Sequence, residues 1–275
     1  MVYTRKLSIA LGIAGAAMGL AVQPASAQTI GVEAGKWNVD YGDIRCSLSR
    51  RIAGPQSPIL ILSSYLGRDE PELILLRDGS DPLPRLPERV TIVLSPGTAP
   101  ESARIMHGSA DPARAISLQE IAEGFFDRFA AATRVSINEG GRSLISLATP
   151  GANGAVAALR ACNDDLLRTW GVDIAARNHL TRQPLQTSGS ISSDDYPSVA
   201  AGRDESGRVV ALFEVDARGV PSNCRPVVSS GSETLDVATC RLITRRFRYD
   251  PALDSKGQAT STTVVRTLTW RLPVS

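Results

Sequence analysis

The sequence predicts an α+β protein, and three observations carry the prediction. Short β-prone runs cut by Gly and Pro fill the first part of the chain, two stretches with helical spacing follow, and the last part reads strand, strand, helix, strand. With 43% apolar and 21% charged residues over 275 positions, the composition is that of a packed protein long enough for two ordinary domains.

The chain opens with Arg5 and Lys6, an apolar run from Leu7 to Val22, and the small-x-small site Ala25-Ser26-Ala27 ahead of Gln28. This is the pattern of a secretory signal peptide, 1–27, cleaved after Ala27. The run is shorter than the roughly 20 apolar residues of a membrane span, which argues against an uncleaved anchor. Cleavage takes two of the 30 basic residues and none of the 28 acidic ones, so the mature chain is neutral and has no general attraction for nucleic acid or anionic membrane.

Residues 28–178 read as an N-terminal α+β domain of unassigned role. Lys36-Trp-Asn-Val-Asp-Tyr41, Cys46-Ser-Leu-Ser49, Pro58 to Leu66, Glu72 to Leu76 and Val90 to Leu94 are β-prone or apolar runs, broken by Gly54-Pro55, Gly67 and Pro71; an antiparallel sheet accounts for them. Gln119 to Ala132 places Ile121, Phe125, Phe126 and Phe129 near helical spacing, and Ser117 three residues before Glu120 reads as a capping box. Val135 to Ile137 and Ser143 to Leu147 flank Asn138-Glu-Gly-Gly141 as a hairpin, and Ala152 to Trp170 predicts a second helix with Val156, Leu159, Cys162 and Leu166 near one face.

All four cysteines, Cys46, Cys162, Cys224 and Cys240, survive cleavage, and export to an oxidising compartment favours two disulfides. Three pairings are open; the closeness of Cys224 to Cys240 favours that pair and leaves Cys46 with Cys162. The first bridge closes a loop of about 16 residues, worth roughly 3 kcal/mol, and the second one of more than a hundred, worth about 4 to 5 kcal/mol in the chain-entropy model. No Cys-x-x-Cys occurs, and His107 and His179 lie far from any cysteine in sequence, which argues against zinc.

Residues 179–193 are rich in Ser, Thr, Gln and Gly, and read as a flexible linker. Beyond it, Val209, Ala211, Phe213 and Val215 alternate as one face of a strand; Asp216 to Gly219 turns the chain into a partner strand, Val220 to Val228. Ser232 or Thr234 caps a helix ending near Phe247, and Thr262 to Leu272 forms a last strand.

Tyr196-Pro197, Ala200, Gly207, Val209, Phe213, Val215, Gly219, Val220, Val227, Ser229, Ser230, Gly231, Leu235, Asp236, Ala238, Phe247, Pro251-Ala252, Asp254 and Gly257 carry a resemblance. In residues and spacing, the segment 194–275 resembles the TonB C-terminal domain. The resemblance implies a periplasmic module that meets outer-membrane receptors by pairing an edge strand with a short receptor segment. On this chain the edge is the last strand, with Tyr196, Val264, Arg266, Leu268 and Trp270 as the candidate partner-binding residues. Energy transducers of the family carry an uncleaved membrane helix and a long Pro-rich spacer. Here the signal looks cleavable, a linker of about 15 residues spans only roughly 20 Å, and Ser193-Asp194-Asp195 stands where the family has Gln-Pro.

No catalytic residue, metal or cofactor is expected. His107 with Glu101 and Asp111 nearby could suggest hydrolysis, but no Gly-x-Ser-x-Gly, His-Glu-x-x-His or phosphate loop accompanies them. Cys162 lacks a placed histidine, and Arg245, Arg246 and Arg248 read as a solvated helix end that could also meet an acidic segment. The expected function is a non-catalytic periplasmic adaptor or scaffold. Its partner would be an envelope protein, with an outer-membrane TonB-dependent receptor as one candidate and a second copy of the chain, paired edge to edge, as another. Membrane contact would come only through a partner or an uncleaved signal. The alternatives are an anchored energy transducer and an envelope-polymer hydrolase that uses the module for targeting.

Overall fold

A computed structural model describes residues 35–52, 58–67, 71–78, 88–97, 99–109 and 113–272. The signal peptide and its cleavage site, and Asp111, lie outside the described residues.

The first strands are β1 (Asn38–Tyr41), β2 (Arg45–Arg51), β3 (Ile59–Tyr65), β4 (Glu72–Asp78), β5 (Arg89–Ser95), β6 (Glu101–Ser109) and β7 (Ala113–Gln119). Helix α1 (Phe125–Ala131), the hairpin β8 (Arg134–Glu139) and β9 (Arg142–Ala148), and helices α2 (Ala152–Thr169) and α3 (Ile174–Asn178) come next. All nine strands form one antiparallel sheet in the order β1-β2-β3-β4-β7-β6-β5-β8-β9. Alternate side chains bury themselves on one face, as the period of two requires: Leu60 and Leu62, Leu73 and Leu75, Ile92 and Leu94, Ile116 and Leu118, Val135 and Ile137. Phe125 and Phe129 of α1 and Val156, Leu159 and Cys162 of α2 complete that core.

The sheet curls around these helices. Trp37, just before β1, donates from Nε1 to the Pro150 carbonyl just after β9 (2.9 Å), Arg50 on β2 donates to the same oxygen (2.7 Å), and the Trp37 ring stands edge-on to Phe129. The Cys46–Cys162 disulfide ties β2 to α2.

The helix expected over Gln119–Ala132 is shorter than the sequence suggested. Ser117 and Gln119 belong to β7, Ser117 donates to Glu72 (2.8 Å), and α1 starts after Gly124, which adopts the left-handed conformation. Ser117 thus caps no helix, because the strand ladder with β4 and β6 claims its backbone.

The residues expected to form a linker are instead attached to the C-terminal module. Strand β10 (Leu185–Ser188) pairs with β13 (Arg248–Asp250), and Thr181 and Arg182 bond to Leu253. Polar composition misleads here because backbone and hydroxyl groups, not apolar burial, make the attachment: Thr181 Oγ1 donates to the Asp254 carbonyl (2.7 Å) and Thr187 Oγ1 to that of Arg248 (3.1 Å).

After a 3-10 turn at Ser193–Asp195 come α4 (Ser198–Ala201), β11 (Gly207–Val215), β12 (Pro221–Val228) and α5 (Glu233–Arg246). Past β13, β14 (Ala252–Leu253) pairs with β15 (Ala259–Thr260), and β16 (Thr262–Trp270) ends the fold. The three-stranded sheet runs β12-β11-β16, all antiparallel, the strand-strand-helix-strand order expected from the sequence. One face, with Val209, Ala211, Phe213 and Val215, packs on Leu235, Ala238, Leu242 and Ile243 of α5.

The other face is also buried. Val210, Leu212 and Val265 meet Leu167 and Trp170 at the end of α2, then Val172 and Ile174 at the start of α3. Arg225 of β12 donates to the Trp170 carbonyl (2.7 Å) across the same contact. The nine-stranded and three-stranded sheets therefore belong to one compact unit, Val32–Ser275.

Candidate functional site

Two polar knots fix the three-stranded sheet. At the β11–β12 turn, the Asp216 carboxylate accepts from the backbone N–H groups of Val220 and Arg218 (both 2.9 Å) and from the Arg218 guanidinium, and these bonds, the Val220 one foremost and the guanidinium next, hold its pKa below the ordinary carboxylate value. Gly219 takes φ +80° there, and its carbonyl accepts from Tyr249 (3.0 Å), so a side chain would have no room. At the end of β12, the buried Asp236 carboxylate accepts from Ser229 Oγ and from the N–H (2.9 Å) and Oγ (2.8 Å) of Ser230, while Ser232 caps α5 through Leu235 N–H. The Cys224–Cys240 disulfide staples β12 to α5.

The sheet has two edges of different character. Strand β12 contains Pro221 and Pro226, shifts register twice against β11, and holds Asn223 at φ +52°. Prolines and bulges of this kind blunt an edge against further pairing. Strand β16 runs in unbroken register from Thr262 to Trp270.

Neighbouring residues of an antiparallel strand turn their N–H and C=O groups to opposite sides. Thr267 N–H points outward, toward the Gly67 carbonyl (3.5 Å), so Thr263, Val265 and Thr269 also face outward, while Val264, Arg266 and Leu268 bond to β11.

The middle of that outer edge is covered from within the chain by the Leu66–Gly67 turn after β3. Thr267 Oγ1 donates to the Leu66 carbonyl (2.6 Å), and Arg266 donates to Gly67 O (3.4 Å) and to Gln186 Oε1 (2.6 Å). Gly67 has φ +77°; a Cβ there would fall on the Val265 carbonyl oxygen and within 2.6 Å of Arg266 Cα. Only glycine lets the turn lie this close to the strand. A cavity opens on each side of the turn, one of about 690 Å³ along Val264–Arg266 and one of about 570 Å³ along Arg266–Leu268.

The five candidate partner-binding residues come together at β16, with their side chains turned into the module. Trp270 is 4% exposed, donates from Nε1 to Thr239 Oγ1 (2.9 Å), and meets the Tyr196 ring edge-on at 5.4 Å; Tyr196 OH bonds to the Glu205 carbonyl. Val264 and Leu268 are half-buried against the α5 cores, and Arg266 is held by Gly67 and Gln186. What the strand offers outward is backbone at the odd-numbered positions, which a search for side chains does not reveal.

Other candidates disperse. Glu101 is engaged by Arg128 (2.6 Å), His107 lies on β6, and His179 ends α3. Among the described residues, no group of three or more His, Cys, Asp and Glu is placed to hold a metal. Arg246 stands exposed in the last turn of α5, as expected, and also forms a two-pronged pair with Asp195 (2.7 Å each). That pair, with the Ser192 N–H, holds Asp195 below the ordinary carboxylate range and fixes the Ser193–Asp195 turn.

The C-terminal module thus presents one blunted sheet edge, β12, and one in unbroken register, β16. Residues 192–272 match the family model described as Gram-negative bacterial TonB protein C-terminal. No curated protein matches the chain. Among the described residues, no helix is long and apolar enough to cross a membrane.

Proposed function

We propose that the protein is a periplasmic, non-catalytic adaptor whose TonB-like module takes an extended segment of an envelope protein onto the outer edge of β16. The observation that carries this reading is the contrast between the two edges. The β12 edge is blunted by proline and bulges, whereas β16 is straight and already used as a docking rail by a turn of the same chain. Unpaired backbone groups on such an edge supply affinity to any extended segment that can align with it. The Leu66–Gly67 turn contributes only a few bonds at the centre of the strand, and an incoming segment replaces it by pairing over a longer stretch.

In-cell photo-crosslinking from Thr263 and Thr269, with the captured protein identified, tests the reading. Capture of one envelope protein from both positions, stronger in a Gly67→Val background, is the expected result. Capture from a β12 position such as Ser222, with none from β16, would sink it, and capture of a second copy of the chain would replace the adaptor with a dimer.

A further inference from the structure

The cavity of about 690 Å³ beside Val264–Arg266 is lined by Arg177, Arg182 and Arg266, with Glu123 as its acidic member. Arg177 is half-buried at the end of α3, and its guanidinium makes no hydrogen bond or salt bridge among the described residues. Burial lowers its pKa, opposed only by the through-space field of Asp164. Arg182 spends one N–H on the Pro251 carbonyl (3.1 Å) and has no carboxylate partner among the described residues. A guanidinium carries five donors in a planar fork, and two such groups without a carboxylate partner among the described residues give this cavity a basic wall that an anion can complete.

The cavity is bounded by β16 itself, at the residues beside outward-facing Val265. Whatever pairs with that half of the edge runs along its mouth. Resting on the strand-pairing reading above, we propose that the segment taken up by β16 is acidic, with an Asp or Glu carboxylate seated against Arg177 and Arg182. Backbone pairing then gives affinity that is indifferent to sequence, and the arginines give the selectivity that the edge lacks.

The test uses the full mature chain, native and Gly67→Val, with synthetic eight-residue peptides of alternating Thr and Val. One set carries a single Glu scanned through the positions, and a matched set carries Gln. Fluorescence anisotropy is expected to show one Glu position binding about tenfold tighter than its Gln counterpart, as a charge-assisted pair supplies. Arg177→Gln should erase that difference while leaving the Gln peptide unchanged, and Arg177→Lys should restore part of it. Equal binding of Glu and Gln peptides at every position overturns the acidic preference and leaves strand pairing standing, provided both weaken in Thr269→Pro. No binding by either set overturns both.

Discussion

Replacing Gly67 by valine tests the contact between the turn and the last strand. The residue sits at φ +77°, where an L side chain costs about 1 to 2 kcal/mol. Its Cβ would meet the Val265 carbonyl and the Arg266 backbone, which belong to a strand paired along its whole length with β11 and cannot yield as a flexible side chain would. The turn must therefore leave. It takes with it the bond from Thr267 Oγ1 to Leu66 O and the longer ones to Gly67 O, worth about 0.5 to 1.5 kcal/mol for a well-formed bond and little for the long ones. The expected loss is about 2 to 3 kcal/mol by urea titration. Gly97→Ala provides the control: φ is +87° there with nothing within 4 Å of the added Cβ, so only the backbone cost of about 1 to 2 kcal/mol remains. Residue-resolved hydrogen exchange then reads the edge. Exchange at Thr267, whose N–H loses its acceptor and its cover, should rise in Gly67→Val, while Val264, Arg266 and Leu268, bonded to β11, stay protected. Unchanged exchange at Thr267 would refute the reasoning.

Other outcomes rest on the polar knots and the core. Asp216 is stabilised in its charged form, so its contribution is fully present above the unfolded value of about 3.9 and is lost as pH falls through the lower folded value. Asp216→Asn should lower stability at neutral pH and flatten the acid limb of a pH titration of Tm. Trp270→Ala should cost about 3 to 5 kcal/mol, since it empties a buried site and removes the bond from Nε1 to Thr239; thermal melting would reveal it. Replacing Cys224 and Cys240 together by Ala opens a loop spanning 16 residues and should cost roughly 3 kcal/mol in a denaturant titration.

Much of the C-terminal module was legible because its signals are local. Gly219, Ser229 to Ser232 and Asp236 act within a few residues of where they stand, and the pairing of Cys224 with Cys240 follows from proximity in sequence. Val210 and Leu212 were the missed signal in β11. Every residue from Val209 to Phe213 is buried, a continuous apolar run that marks a strand covered on both faces, whereas the alternation of Val209, Ala211, Phe213 and Val215 accounts for one face alone. The second cover, Trp170 through Ile174, is far away in sequence, so no local pattern could supply it. Strands β6 and β7 escaped for a similar reason: their Arg- and Ser-rich outer faces dilute the alternation of Ala103, Ile105, Ile116 and Leu118. Of the candidate site, the sequence placed the last strand itself, but which backbone groups face outward depends on register with β11 and on where the Leu66–Gly67 turn lies, neither of which is encoded nearby.

That register also decides which variants test the edge cleanly. Proline at Val264, Arg266 or Leu268 would remove bonds to β11 and unravel the sheet, whereas proline at Thr269 removes an outward N–H and the Oγ1 that Arg208 meets (3.3 Å), the second of which Thr269→Val removes as well. The most direct measurement compares recovery of the captured envelope protein by Thr269→Pro and by Thr269→Val, which keeps the outward N–H, at matched thermal stability. The strand-pairing account expects recovery to fall at least tenfold with proline and to persist with valine. Equal recovery by the two variants would contradict it.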